Sequence, residues 1–116
     1  MKFLVVLNDA PYGSERTYNG LRLAGGLTKN AENEVRVFLL GDATVCAKSE
    51  QKVPEGFYNL LLMLNRVMRS DGEIGVCGSC MDARGIAAAE LADGAHRSSM
   101  DELVQWTEWA DKVLVF

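Results

Sequence analysis

The residues best placed to do covalent chemistry lie in the stretch GVCGSCMDARG, residues 75–85. The apolar run EIGVC reads as a strand, which places Cys77 at its end and Cys80 at the start of a helical turn. Backbone N–H groups at a helix start stabilise an anion and so favour the thiolate. Arg84, within reach on the same stretch, adds to that effect. A low-pKa thiol at the rim of a sheet is suited to sulfur transfer or to thiol–disulfide exchange. The same spacing also suits two partly buried structural cysteines, because free Cys is among the most buried residue types.

Two other uses of these thiols are weaker. A thioredoxin-like redox site has a dithiol at a helix start, as here, but pairs it with a cis-proline. The chain's prolines are Pro11 and Pro54, and neither precedes the later strands where that role falls. A structural zinc site wants four N or S ligands. The candidates Cys46, Cys77, Cys80 and His96 contain no second paired motif, so no metal or other cofactor is expected. His96, the lone histidine, reads as a surface or strand-edge residue. Ser14 reads as a helix cap, since no His–Asp pair is placed to activate it. The loop DAPYGSE has neither a Walker nor a Rossmann pattern. Asp9 and Asp42 sit at strand ends, as loop or cap residues or as ligands to a substrate.

Positioning these residues requires an alternation of strands and helices. KFLVVLN is a continuous apolar strand of the kind covered on both faces. Ser14 caps a helix to about residue 29, and EVRVFLL is the second strand, ended by Gly41. Asp42 caps a short helix, and Pro54 opens a long one to about Arg69. On that helix Phe57, Leu60, Leu61, Leu64, Val67 and Met68 form one apolar stripe. EIGVC is the third strand, followed by a helical stretch from Ile86 to Leu91 and a very short fourth strand over 94–97. Ser99 and Glu102 form a capping box for the last helix, and KVLVF is the final strand. This order predicts parallel strands with right-handed crossovers in a three-layer α/β sandwich, a single domain over residues 1–116. Ligands bind at the carboxyl ends of such strands. Residues 8–14, 41–45 and 77–85 therefore converge, which makes Asn8, Asp9, Tyr12, Ser14, Asp42, Arg84 and Gly85 candidate substrate contacts.

The bulk properties narrow the partners. The 116 residues carry 12 Lys and Arg against 16 Asp and Glu, a net charge of −4, which suits neither nucleic acid nor an anionic membrane. The run of residues 3–7 is far too short to span a bilayer and is not followed by a small-residue cleavage site. Three cysteines, an odd count, suggest free thiols in the cytoplasm rather than a disulfide framework. Tyr58 and Leu62 lie opposite the apolar stripe of the long helix, which predicts that they are buried between subunits of a homo-oligomer.

Four segments, taken together, resemble a known family: VVLNDAPYGSE, LLGDATV, GVCGSCMDARG and ELVQWTEWADKVLVF. In order and spacing they are similar, over essentially the full length, to the DsrE/DsrF-like family of sulfur-relay proteins and to its YchN-like branch. The resemblance implies a parallel α/β sheet of about five strands and a cytoplasmic homo-oligomer, trimeric or hexameric. It also implies that Cys77, which stands before the Arg84–Gly85 pair as the family's cysteine does, accepts sulfur from a donor protein or passes it to an acceptor. Cys80 is the extra cysteine of the branch. The expectation is a persulfide relay on Cys77, with a binding or assembly module, or a dithiol redox protein, as the alternatives.

Overall fold

The computed structural model describes residues 1–116. Five strands, β1 (Lys2–Leu7), β2 (Glu34–Leu39), β3 (Glu73–Cys77), β4 (Ala95–Ser98) and β5 (Lys112–Val115), form one sheet in the order β4-β3-β2-β1-β5. Every pairing is parallel. The helices are α1 (Arg16–Leu27), α2 (Leu60–Arg69), α3 (Gly78–Ala83) and α4 (Met100–Trp109), with a 3-10 helix over Gly41–Ala47. No helix is long and apolar enough to cross a membrane. The predicted three-layer α/β sandwich with a parallel sheet of five strands is the observed fold.

The register explains the layers. Val5, Val37 and Ile74 are neighbours across β1, β2 and β3 and face one side of the sheet. There they pack with Leu21 and Ala24 of α1, Leu60, Leu64 and Val67 of α2, and Met81 of α3. Leu4, Val6, Phe38 and Cys77 face the other side and pack under Trp106 of α4. Phe38 and Trp106 meet edge to face, with ring centroids 5.8 Å apart. Connections after β1, β2 and β3 thus run over one face, and the connection after β4 runs over the opposite face.

Several boundaries differ from the sequence reading, each for a local reason. The long helix begins at Leu60 rather than Pro54, because the Asn59 side chain accepts from the Leu62 N–H and caps it there. Phe57 is therefore on a loop and 66% exposed instead of on the core stripe. Tyr58 is also outside the helix and is half-buried within its own chain, stacked on Tyr18 at 4.1 Å between centroids. Leu62 stays 62% exposed. Helix α1 begins after Glu15, and Ser14 instead donates to the Asp9 carboxylate at 2.9 Å. The N-cap of the 3-10 helix is Leu40 rather than Asp42. The helix expected over 86–91 is a single 3-10 turn at Ala88–Glu90, and the helical residues are those of α3. Ser99 caps α4, but Glu102 turns its carboxylate to His96 and Ser98 and leaves the capping box half made.

Helix α1 tests the packing argument with two glycines. A Cβ on Gly20 would sit 2.4 Å from Leu7 and 3.1 Å from Phe116, whereas one on Gly26 would meet nothing within 4 Å. Replacing helical Gly by Ala gains roughly 0.5–1 kcal/mol where there is room. Overpacking a core contact costs roughly 1–3 kcal/mol. Gly26→Ala is expected to raise the thermal midpoint and Gly20→Ala to lower it; shifts of the same sign in thermal denaturation would contradict this packing.

Candidate functional site

Strand β3 delivers Cys77 directly into α3, so the sulfur takes the place usually held by a Ser, Thr or Asp oxygen. Cys77 is the N-cap residue, and its Sγ accepts from the Cys80 N–H at 3.4 Å. Ser79 Oγ lies 3.4 Å from the same sulfur. Burial pushes the Cys77 thiol up. Hydrogen bonds from Cys80 and Ser79, through side chains and backbone N–H groups, outweigh that cost, and the net pKa is lowered. Cys80 moves the other way. Burial raises it, and donation of its own proton toward Cys77 raises it further. The two thiols are therefore shifted in opposite directions by one local geometry. Cys46 has no part in this: it is fully buried, and burial pushes it up to about 12.

The far end of α3 is fixed by charge and by a C-cap. The Ile86 N–H bonds to the Met81 carbonyl and the Gly85 N–H to Asp82, with Gly85 at φ 66°. This is a Schellman arrangement, in which the left-handed position favours glycine. Gly85 thus ends the helix. Arg84 reaches Asp42 through Nε at 3.1 Å and Nη2 at 2.8 Å, and it donates to the Cys80 carbonyl at 3.0 Å. It ties α3 to the turn after β2. Arg97 shares the lining of one cleft with Cys77, while Arg84 bonds to the Cys80 carbonyl. Arg97 is held by both oxygens of Asp82, at 2.8 and 2.9 Å.

Cys77 opens into a cleft of about 250 Å³, lined by Phe38 and Leu40, by Gly78 and Ser79, and by Arg97, Ser98, Ser99 and Met100. Cys77 and Ser98 are register neighbours on one face. The sequence reading missed the contribution of β4. A four-residue strand gave little signal, although the right-handed crossover rule favours its place beside β3.

The remaining candidate residues do not join this cleft. Asn8 bonds through its side chain to the Phe116 carbonyl at 3.1 Å and closes the β1–β5 edge. Its carbonyl would be 3.6 Å from a Cβ on Gly41, so the first two strand ends do converge, beside Arg84. Asp9 and Ser14 stabilise their own turn, with Thr17 donating to the Asp9 carbonyl at 2.7 Å. Tyr12 donates to the Tyr58 carbonyl at 3.2 Å and lines a second cleft, of about 340 Å³, with Lys52, Pro54 and Phe57.

Comparison with known proteins agrees with this geometry. Residues 1–116 match the family model described as the DsrE/DsrF-like family. The Protein YchN of Escherichia coli (strain K12) is 42% identical over 116 residues, covering 99% of this chain and 98% of the relative. The uncharacterized protein MJ0989 of Methanocaldococcus jannaschii is 38% identical over 117 residues, with both chains fully covered. The crystal structure of the E. coli ychN protein superposes with a TM-score of 0.93 at 41% identity, covering 99% of this chain and 98% of that one. Protein MTH1491 of Methanobacterium thermoautotrophicum shares the fold at a TM-score of 0.75 and 10% identity, with coverage of 99% and 97%.

The hydrogen bonds to Cys77 set its reactivity. Because its pKa is lowered, iodoacetamide should modify Cys77 before Cys80, and Cys46 only after unfolding. Ser79→Ala removes one bond to the thiolate and should slow Cys77 alkylation at neutral pH by about five-fold, the worth of one hydrogen bond. Its rate–pH midpoint should rise. A midpoint for Cys77 at or above that of Cys80, read by peptide mass mapping, would contradict the assigned roles.

Proposed function

Because the chain belongs to the DsrE/DsrF-like family, which supports a sulfur-relay-type protein, we propose that Cys77 accepts sulfane sulfur as a persulfide and hands it on. The observation that carries this reading is the Cys77 sulfur itself. It caps α3, lines a cleft, and is kept toward its anionic form by Cys80 and Ser79. The same donors that stabilise a thiolate would stabilise the terminal sulfur of a persulfide. Cys80, on the next turn, is the resolving thiol: its attack on the persulfide would form a Cys77–Cys80 disulfide and release sulfide. A thiol–disulfide redox protein is the second reading, favoured by the opposite pKa shifts of the two thiols.

The three free thiols suit a reducing compartment, and we place the protein in the cytoplasm. We also propose a homo-oligomer, trimeric or hexameric, that exchanges sulfur with a donor or acceptor protein. Phe57 and Leu62, at 66% and 62% exposure, are the apolar side chains that a second copy would cover.

Two measurements test this function. After incubation with inorganic polysulfide, whole-protein mass should show one added sulfur atom on the wild type and none on Cys77→Ser. On Cys80→Ser the adduct should persist longer. Sulfur uptake by Cys77→Ser would remove Cys77 from the reaction. A stable Cys77–Cys80 disulfide without sulfur uptake would favour the redox reading. For assembly, Leu62→Glu should lower the mass seen by light scattering, since an unpaired charge in an apolar contact costs several kcal/mol. An unchanged oligomer mass would show that Leu62 lies outside the interface.

A further inference from the structure

The cleft at Cys77 has two chemical halves. Part of its lining is apolar, from Phe38, Leu40 and the exposed Met100, and part is polar, from Arg97 and the hydroxyls of Ser79, Ser98 and Ser99. Arg97 is aimed but not used up. Asp82 takes one hydrogen from each of Nη1 and Nη2, which leaves Nε and the outer Nη hydrogens free to donate. Ser99 Oγ accepts from the Glu102 N–H at 3.3 Å and so retains its own proton to donate. Ser98 gives its proton to Glu102 and has none to offer an anion.

Cys77 is only 7% exposed and is part of the lining of this cleft. The volume of about 250 Å³ suits a ligand of fewer than about ten non-hydrogen atoms. An anionic head fits Arg97 and Ser99, a short hydrocarbon fits the Leu40–Met100 lining, and the reacting sulfur must face Cys77.

We propose that this cleft binds a small carboxylate-bearing persulfide, with its carboxylate on Arg97 and Ser99 and its outer sulfur against Cys77. The proposal rests on the sulfur-accepting reading above and names the donor for that site. The Cys77 thiolate attacks the outer sulfur of R–S–S–H. A Cys77–sulfur bond forms as the donor's S–S bond breaks, and that electron pair leaves on R–S⁻. The proton stays on the transferred sulfur. With the donor's carboxylate counted, the total charge is −2 on each side, and the sulfane sulfur keeps its oxidation state, so no outside oxidant or reductant enters.

Gly78 supplies an independent handle on Arg97. A Cβ there would lie 2.8 Å from Cζ, 2.9 Å from Nε and 3.0 Å from Nη2 of Arg97. All three atoms are at the far end of a flexible side chain. Gly78→Ala should therefore move the guanidinium without removing any charge from the chain.

The test compares two probes on the whole protein, the persulfides of 3-mercaptopropionate and of 2-mercaptoethanol, with sulfur loading read by mass. Wild type should load from the carboxylate donor about ten-fold faster, the worth of one charge-assisted hydrogen bond. Butanoate, an unreactive carboxylate, should slow that loading and not the loading from the neutral donor. In both Arg97→Gln and Gly78→Ala the preference should fall to within about two-fold. Taking the ratio of donors cancels any change in the nucleophilicity of Cys77. Equal loading of wild type from the two donors overturns the carboxylate subsite and leaves the relay reading standing. A preference retained in either folded variant overturns the role of Arg97. No loading from either donor overturns both proposals.

Discussion

One contact organises the functional end of this molecule: the Cys77 sulfur accepting the Cys80 N–H at the start of α3. A helix of six residues is far too short to persist alone, because nucleation costs more than so few bonds return. Here it is held at every point that nucleation would otherwise leave free. Cys77 caps its start and the Schellman bonds close its end. Met81 is fully buried in the larger core, and the Asp42–Arg84 and Asp82–Arg97 pairs tether it to the 3-10 helix after β2 and to β4. These surface ion pairs add little stability one by one. Their contribution is orientation, since each fixes one guanidinium relative to the thiols.

The same contact divides the two cysteines. A sulfur that serves as an N-cap is an acceptor, and anything that donates to it favours its charged form. The Cys80 thiol, distinct from the backbone N–H of the cap, is raised first by burial and then by its own donation toward Cys77. Cys77 and Cys80 thus acquire opposite shifts from one geometry. Neither arginine is needed to start that division. Arg84 bonds to the Cys80 carbonyl, and Arg97 lines the cleft with Cys77.

Much of this was legible in the residues. Four apolar runs marked β1, β2, β3 and β5, and the Cys77–Cys80 spacing marked the helix start, because both signals are local. What stayed hidden depended on tertiary competition. Pro54 satisfied the usual rule for a first helical turn, yet Asn59 offered a side-chain oxygen to the Leu62 N–H and moved the start to Leu60. Tyr58 could not be placed from helical geometry, since its neighbour is Tyr18 on another helix. Arg84 and Arg97 are comparable cations by sequence. Only the pairing of β4 with β3 shows which of them lines the cleft with Cys77.

That pairing also explains why the cleft lies where it does. In an open parallel sheet a crevice forms where adjacent strands send their chains to opposite faces. The chain leaves β3 toward the face of α1 and α2, and it leaves β4 toward the face covered by α4. The two segments part, and the space between them is lined by Cys77, Gly78 and Ser79 on one side and by Arg97, Ser98 and Ser99 on the other. The opposite edge has no such opening, because Asn8 and Phe116 bond across the ends of β1 and β5. The Cys77 sulfur therefore sits at the strand pair where the topology opens the sheet. β4, although only four residues long, is the element that makes the opening.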